Sequence, residues 1–168
     1  VINQQRKFPG DAWPEGEKLL LIPHRTKQFK HHPAVGYAEK VIEGRWPELE
    51  KALLEQKDAV DLGTYVDRVV LNEPGGERWP EVEPFLIEYS PLDNFIFRVA
   101  VSYAINVMGE RWPELEQVFF ETLKLKLPAA GKLLYFIGKY RQKFFSHDEP
   151  WEEMDKALLE RWRPSNYG

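Results

Sequence analysis

The side chains that could do chemistry come in a set spelled out three times. Arg45-Trp46-Pro47-Glu48-Leu49-Glu50 returns as Arg78-Trp79-Pro80-Glu81-Val82-Glu83 and as Arg111-Trp112-Pro113-Glu114-Leu115-Glu116. Each copy brings together a guanidinium, an indole and two carboxylates. Arg45, Arg78 and Arg111 could clamp phosphates or carboxylates in the bidentate manner of a planar guanidinium. The competing reading is that each pairs with a nearby glutamate or with a helix C-terminal carbonyl. Paired acids such as Glu48 and Glu50, or Glu81 and Glu83, are the residue types of a glycosidase. Residues two apart on a helix face away from one another, however, and a catalytic pair should be singular where these recur.

A second candidate is basic and aromatic. Residues 122–147 carry Lys124, Lys126, Lys132, Lys139, Arg141 and Lys143 and no Asp or Glu, with Tyr135, Phe136, Tyr140, Phe144 and Phe145 interleaved. Cations among aromatics suit a phosphate backbone and stacked bases. The alternative is a solvated helix face whose aromatics belong to the core. A smaller basic connector, His24 to His32, holds Arg25, Lys27, Lys30 and His31. Adjacent histidines point different ways and no HExxH spacing exists, so no metal site is expected of His24, His31, His32 or His147. Gly75-Gly76 and Gly131 fit no phosphate-binding pattern. No catalytic residue, cofactor or small-molecule ligand is expected.

The elements that must position these groups follow from the repeat. Trp46, Trp79 and Trp112 are 33 residues apart, Trp13 lies 33 residues earlier and Trp151 lies 39 residues later. Five of the six tryptophans therefore mark one unit, with Pro47, Pro80 and Pro113 directly after the three central ones. Proline suits the first helical position, where its missing N–H is unbonded anyway. Glutamate in the first turn suits the positive end of the helix dipole. Tryptophan offers no acceptor to a helix N-terminus, so its recurrence there calls for packing.

Periodicity fills in the helices. Trp46, Leu49 and Leu53 fall on one helix face, as do Trp79, Val82, Phe85 and Leu86, and Trp112, Leu115, Val118 and Phe119. Between them come helices with an apolar stripe at i, i+1, i+4, i+5: Tyr37, Ala38, Val41, Ile42; Tyr65, Val66, Val69, Val70; Tyr103, Ala104, Val107, Met108. Gly44 and Gly109 fit the left-handed position that closes a helix. Ser90-Pro91-Leu92-Asp93 and Pro128 open further helices, and Pro150-Trp151 opens the last. The expected fold is all-α: about nine helices in tandem antiparallel hairpins, stacked as a short solenoid or compact bundle in a single domain over residues 1–168.

Composition narrows the function classes. At 168 residues with 43% hydrophobic and 14% aromatic content, a core can form and disorder does not fit. No apolar run approaches the roughly 20 residues of a membrane-spanning helix, and Val1 to Lys7 shows no signal-peptide pattern. There is no cysteine, which excludes disulfide and thiolate chemistry. A chain beginning at Val1 is expected to be processed or a fragment. The net charge of −4 is segregated. Residues 1–40 hold 7 Lys/Arg and 4 Asp/Glu, and residues 41–121 hold 7 and 17. Residues 122–147 hold 6 and none, and residues 148–168 hold 3 and 6. Such a dipolar surface differs from that of a uniformly basic nucleic-acid binder and permits head-to-tail self-association.

The unit Tyr37-Ala38-x-x-Val41-Ile42-x-Gly44-Arg45-Trp46-Pro47-Glu48-x-Glu50, with its variant from Tyr103 to Glu116, resembles helical repeats of the type YAxxVIxGRWPEAE in uncharacterised proteins of tailed bacteriophages. The resemblance covers roughly Trp13 to Glu160. It implies a viral origin, a location in the host cytoplasm or virion, and an interaction role, with no activity attached. The longer loop between Val70 and Trp79 and the Pro-Trp order at Pro150-Trp151 depart from the pattern. Tetratricopeptide and ankyrin repeats have near periods, but here Trp sits at a helix start beside Pro, and Thr-Pro-Leu-His is absent. The leading expectation is a non-enzymatic module that binds a host or viral protein or its own copies. The alternatives are a nucleic-acid-binding accessory protein using residues 122–147, or a repeat region of a larger phage enzyme.

Overall fold

The computed structural model describes residues 14–22, 32–73, 76–124, 130–146 and 150–162. Trp13, Arg25, Lys27, Lys30, His31 and Lys126, and the side chain of Lys132, lie outside the described residues. The fold is all-α: nine α-helices and no strand among the described residues. The chain divides into two compact units, Val1–Phe85 and Leu86–Gly168.

The first unit contains α1 (Pro14–Leu20), α2 (Pro33–Tyr37), α3 (Pro47–Gln56) and α4 (Ala59–Arg68). Helix α2 lies against α1 and α4, and α3 lies against α4. Ala34, Val35, Ala38, Leu49, Leu53, Leu62, Val66 and Val70 form the aliphatic part of its core. Two caps hold the helix starts. Asp58 precedes α4, and its carboxylate accepts from the N–H groups of Val60 (3.0 Å) and Asp61 (3.1 Å), satisfying donors a helix N-terminus leaves open. His32 precedes α2; its Nδ1 accepts from Ala34 N–H at 3.3 Å, and its own backbone N–H donates to Asp61 at 2.8 Å. One histidine of the basic connector thus serves as a buried helix cap tied to α4.

Helix α2 continues as a π-helix over Ala38–Ile42. The wider i→i+5 turn moves the apolar stripe out of step, so Ala38 is buried but Val41 and Ile42 are only half-buried. The expected four-residue stripe is to that extent corrected. The left-handed residue is also not Gly44 but Glu43, at φ 57°, whose N–H bonds to the Ala38 carbonyl. The π-helix ends at Ile42, one residue short of the glycine, so the chain reverses on a residue with a Cβ.

Helix α5 (Glu83–Tyr89) is preceded by a 3₁₀ turn at Pro80–Val82. The cause is Pro84, which has no N–H to give the Pro80 carbonyl. That carbonyl takes the N–H of Glu83 instead, one residue early. Lys51 and Gln117 stand at the equivalent places after Pro47 and Pro113, and there the α-helix begins directly.

The second unit contains α6 (Asn94–Tyr103), α7 (Pro113–Lys124), α8 (Ala130–Phe144) and α9 (Glu152–Trp162). Helix α6 packs on α8, and α7 on α9. Its start is set by Asp93, whose carboxylate accepts from Phe95 N–H (2.7 Å) and Ile96 N–H (3.2 Å). Ser90-Pro91 forms the turn before it rather than the helix opening. Helix α6 runs into a second π-helix, Ala104–Met108, closed by Gly109 at φ 67°. Tyr103 and Ala104 are fully buried, and Val107 and Met108 half-buried, as in the first unit.

Candidate functional site

The repeated Arg-Trp-Pro-Glu-x-Glu segment folds into a clasp. Trp46 sits in extended conformation at the N-cap of α3 with Pro47 as the first helical residue. Glu50 is then brought back beside Arg45. Arg45 Nε donates to Glu50 Oε1 at 2.6 Å and Nη2 to Oε2 at 2.7 Å, while Nη1 reaches the Glu77 carbonyl at 3.1 Å. The hydroxyl of Tyr65, from α4, accepts from Trp46 N–H at 2.8 Å and donates to Glu50 Oε1 at 3.0 Å. The Tyr65 ring meets the Trp79 ring edge-on, with centroids 5.7 Å apart. A single tyrosine therefore joins two successive tryptophans of the repeat: one by its hydroxyl, the next by its ring.

The second unit builds the same arrangement from Arg111, Trp112, Glu116 and Tyr140. Arg111 Nε and Nη2 donate to the two oxygens of Glu116 at 2.8 and 2.6 Å. The Tyr140 hydroxyl accepts from Trp112 N–H at 2.6 Å and donates to Glu116 Oε1 at 3.0 Å. Its ring lies 5.8 Å from Trp151. The middle copy makes the same bidentate pair, Arg78 to Glu83, at 2.6 and 3.0 Å. The arginines thus pair with the second glutamate of their own copy, five residues on. The two glutamates of a pair have separate lives: Glu50 is buried and Glu48 exposed, as Glu116 is buried and Glu114 exposed.

Electrostatics follow from this geometry. Its hydrogen bonds to the Glu50 carboxylate hold the Arg45 guanidinium above its ordinary pKa. Burial pushes the hydroxyls of Tyr65 and Tyr140 well above the usual tyrosine range; the adjacent carboxylates, Glu50 and Glu116, push the same way. Glu50 and Glu116 are nonetheless charged groups removed from water. Three hydrogen bonds each, from one guanidinium and one phenol, answer that cost.

Trp46, Trp79, Trp112 and Trp151 are all buried, at 3–5% exposure. Tyr37 lies 5.6 Å from Trp46 and Tyr103 lies 6.1 Å from Trp112, ring to ring. Pro47, Pro80 and Pro113 are exposed first residues of their helical turns. The two arginines differ in what covers them. Arg45 lies over Trp79 at 5.6 Å, whereas Arg111 lies over Phe145 at 4.3 Å. Phe145 in turn stacks on Trp151, 4.5 Å away and 2° from parallel. The longer step before Trp151 accommodates one further aromatic layer between arginine and tryptophan.

The basic segment is sorted by the same contacts. Arg141 pairs with Asp155 at 2.8 Å and Lys124 with Glu121 at 2.9 Å; the Lys124 hydrogen bond lowers the pKa of Glu121. Tyr140 is buried in the clasp, and Phe144 lies against it at 4.7 Å. Lys139 and Lys143 are exposed, and Tyr135 is 60% exposed. The described part of the segment is thus one face of core and one face of solvent, with Arg141 and Lys124 paired and Lys139 and Lys143 left open.

Two open depressions mark the first unit. One, of 490 Å³, is lined among others by Arg45, Lys51, Leu54, Glu55, Trp79 and Glu81; the other, of 260 Å³, by Glu39, Glu43, Arg68, Asn72 and Glu73. Both mix charges of each sign. Among the described residues no group of three His, Asp or Glu side chains is arranged to hold a metal ion, and no helix is long and apolar enough to cross a membrane. Family models, curated proteins and solved structures yield no match to this chain.

The hydroxyls of Tyr65 and Tyr140 were the part sequence reasoning missed. They follow their tryptophans by 19 and 28 residues, so the 33-residue period gives no sign that they do the same thing. The signal available was the tyrosine heading the apolar stripe of the second helix in a hairpin.

Proposed function

We infer that this chain is a non-enzymatic helical-repeat module that binds a protein partner, either a host or viral protein or another copy of itself. The carrying observation is where the recurring chemistry is spent. In two copies of the repeat, arginine, glutamate, tyrosine and tryptophan satisfy one another inside a clasp, with the carboxylate buried. Groups used this way set hairpin geometry and are withheld from substrate. What the clasps leave open is the outer surface, and in repeat folds that surface is what meets partners. The phage-type origin, and with it a place in the host cytoplasm or the virion, rests on the resemblance of the Tyr37–Glu50 and Tyr103–Glu116 units.

The test has two arms. Sedimentation across protein concentration and salt reads self-association, which charge segregation would make salt-sensitive. Affinity capture from bacterial lysate, with and without phage infection, reads partners; a partner counts when it binds the purified chain again in isolation. A chain that stays monomeric and retains no partner in purified form would overturn the reading. Turnover in a broad hydrolase and transferase substrate screen would overturn its non-enzymatic part.

A further inference from the structure

Helix α8 presents a basic and aromatic face to solvent. Tyr135, Lys139 and Lys143 succeed one another at i, i+4 and i+8, so they line one stripe along the helix. All three are exposed. Gly138, Gln142 and Ser146 lie beside them and are exposed as well. The helix carries no carboxylate from end to end. Lys139 Nζ sits 5.6 Å from the centre of the Tyr135 ring, which also meets Phe136 edge-on at 5.3 Å.

Two features of this face do little for the packing of the helix. The core aromatics of α8 point the other way, and Tyr135 at 60% exposure contributes little burial. Gly138 is the second. A glycine inside a helix costs stability against alanine, and a Cβ built on Gly138 would meet nothing within 4 Å. Neither packing nor a left-handed backbone explains it. It leaves a notch of bare backbone in the middle of the stripe, flanked by an exposed aromatic and by two cations with no ion-pair partner among the described residues.

We propose that the Tyr135–Gly138–Lys139–Lys143 face of α8 is a binding site for single-stranded nucleic acid. Tyr135 offers a platform for one base, Lys139 and Lys143 contact successive phosphates, and Gly138 lets the sugar–phosphate chain approach the helix closely. Single strands are favoured over duplex because only an unpaired base can reach the ring. Phosphodiester is favoured over an acidic peptide because a nucleic acid brings both phosphates for the lysines and a flat base for the ring, whereas aspartate and glutamate side chains have no flat ring to stack on it. This site goes beyond the protein-binding role and does not depend on it.

Fluorescence anisotropy with oligo(dT), oligo(U), a duplex and a polyglutamate peptide, titrated across salt, tests the proposal. Single strands of either sugar should bind, with affinity falling as salt rises at a log–log slope of about −0.7 per phosphate contacted. Lys139→Gln and Lys143→Gln should each shallow that slope. Tyr135→Ala should weaken binding roughly tenfold while leaving the slope alone. Gly138→Ala gives the sharpest reading: it should weaken binding yet raise the melting temperature, because it fills the notch while improving the helix. Opposite movements separate the site from a folding defect. No anisotropy change at low salt would overturn the proposal. So would tighter binding of duplex or polyglutamate than of single strands, or indifference to both Tyr135→Ala and Gly138→Ala.

Discussion

Tyr65 and Tyr140 are the residues on which each unit turns. Each hydroxyl is both acceptor and donor, and neither role survives replacement by phenylalanine. Tyr65→Phe should leave Trp46 N–H buried without an acceptor and should cost about 1–3 kcal/mol in a urea unfolding curve; Tyr140→Phe should behave alike through Trp112. Full stability after either change would mean that water replaces the hydroxyl. The same groups give the protein an alkaline limit. Their folded pKa is raised above the ordinary 10.0, so the folded chain holds the phenolic protons more tightly than the unfolded chain. That contribution is complete below about pH 10 and is lost as pH climbs above it. The urea midpoint should therefore fall as pH rises above about 10, and should fall less steeply in the Tyr65→Phe/Tyr140→Phe double variant. An identical fall in both chains would assign alkaline unfolding to other groups.

At the scale of the element, the two π-helices make a matched experiment. Ala38–Ile42 closes on Glu43 at φ 57°, and Ala104–Met108 closes on Gly109 at φ 67°. A side chain in the left-handed region costs about 1 kcal/mol or more where glycine costs nothing. Glu43→Gly should raise stability by about 1 kcal/mol, and Gly109→Ala should lower it by a similar amount. Paired unfolding curves decide it; equal and negligible effects would place both residues outside the left-handed region in solution. The sequence marked both helix ends, since each has a glycine near it. It marked the turning residue at Gly109 but not at Glu43, because the first π-helix ends one residue short of Gly44 and a hydrophobic stripe does not record where a π turn ends. Pro84 was readable in the same letters. Its missing N–H explains the 3₁₀ start of α5, but only once Pro80 was known to head that turn.

At the scale of the molecule, each unit is built round buried tryptophans that meet a tyrosine ring. Trp79→Ala would strip the ring that Tyr65 meets, and Trp112→Ala the one that Tyr103 meets. Each should cost about 3–5 kcal/mol, the range of large core truncations. A loss under about 1 kcal/mol in denaturant would show the ring to be outside the core. The sequence by itself determined the all-α class, the helix starts at Pro47 and Pro113, and the burial of Trp46, Trp79, Trp112 and Trp151. Those are short-range matters: period, cap chemistry and residue type fix them within a few positions. Only the tertiary structure decided which tyrosine closes each clasp, which basic residues of 122–147 are neutralised, and that Tyr135, Gly138, Lys139 and Lys143 share an open face. Those depend on which side of a helix meets its neighbour, and contacts between residues 15 to 28 positions apart are set by how the hairpins pack.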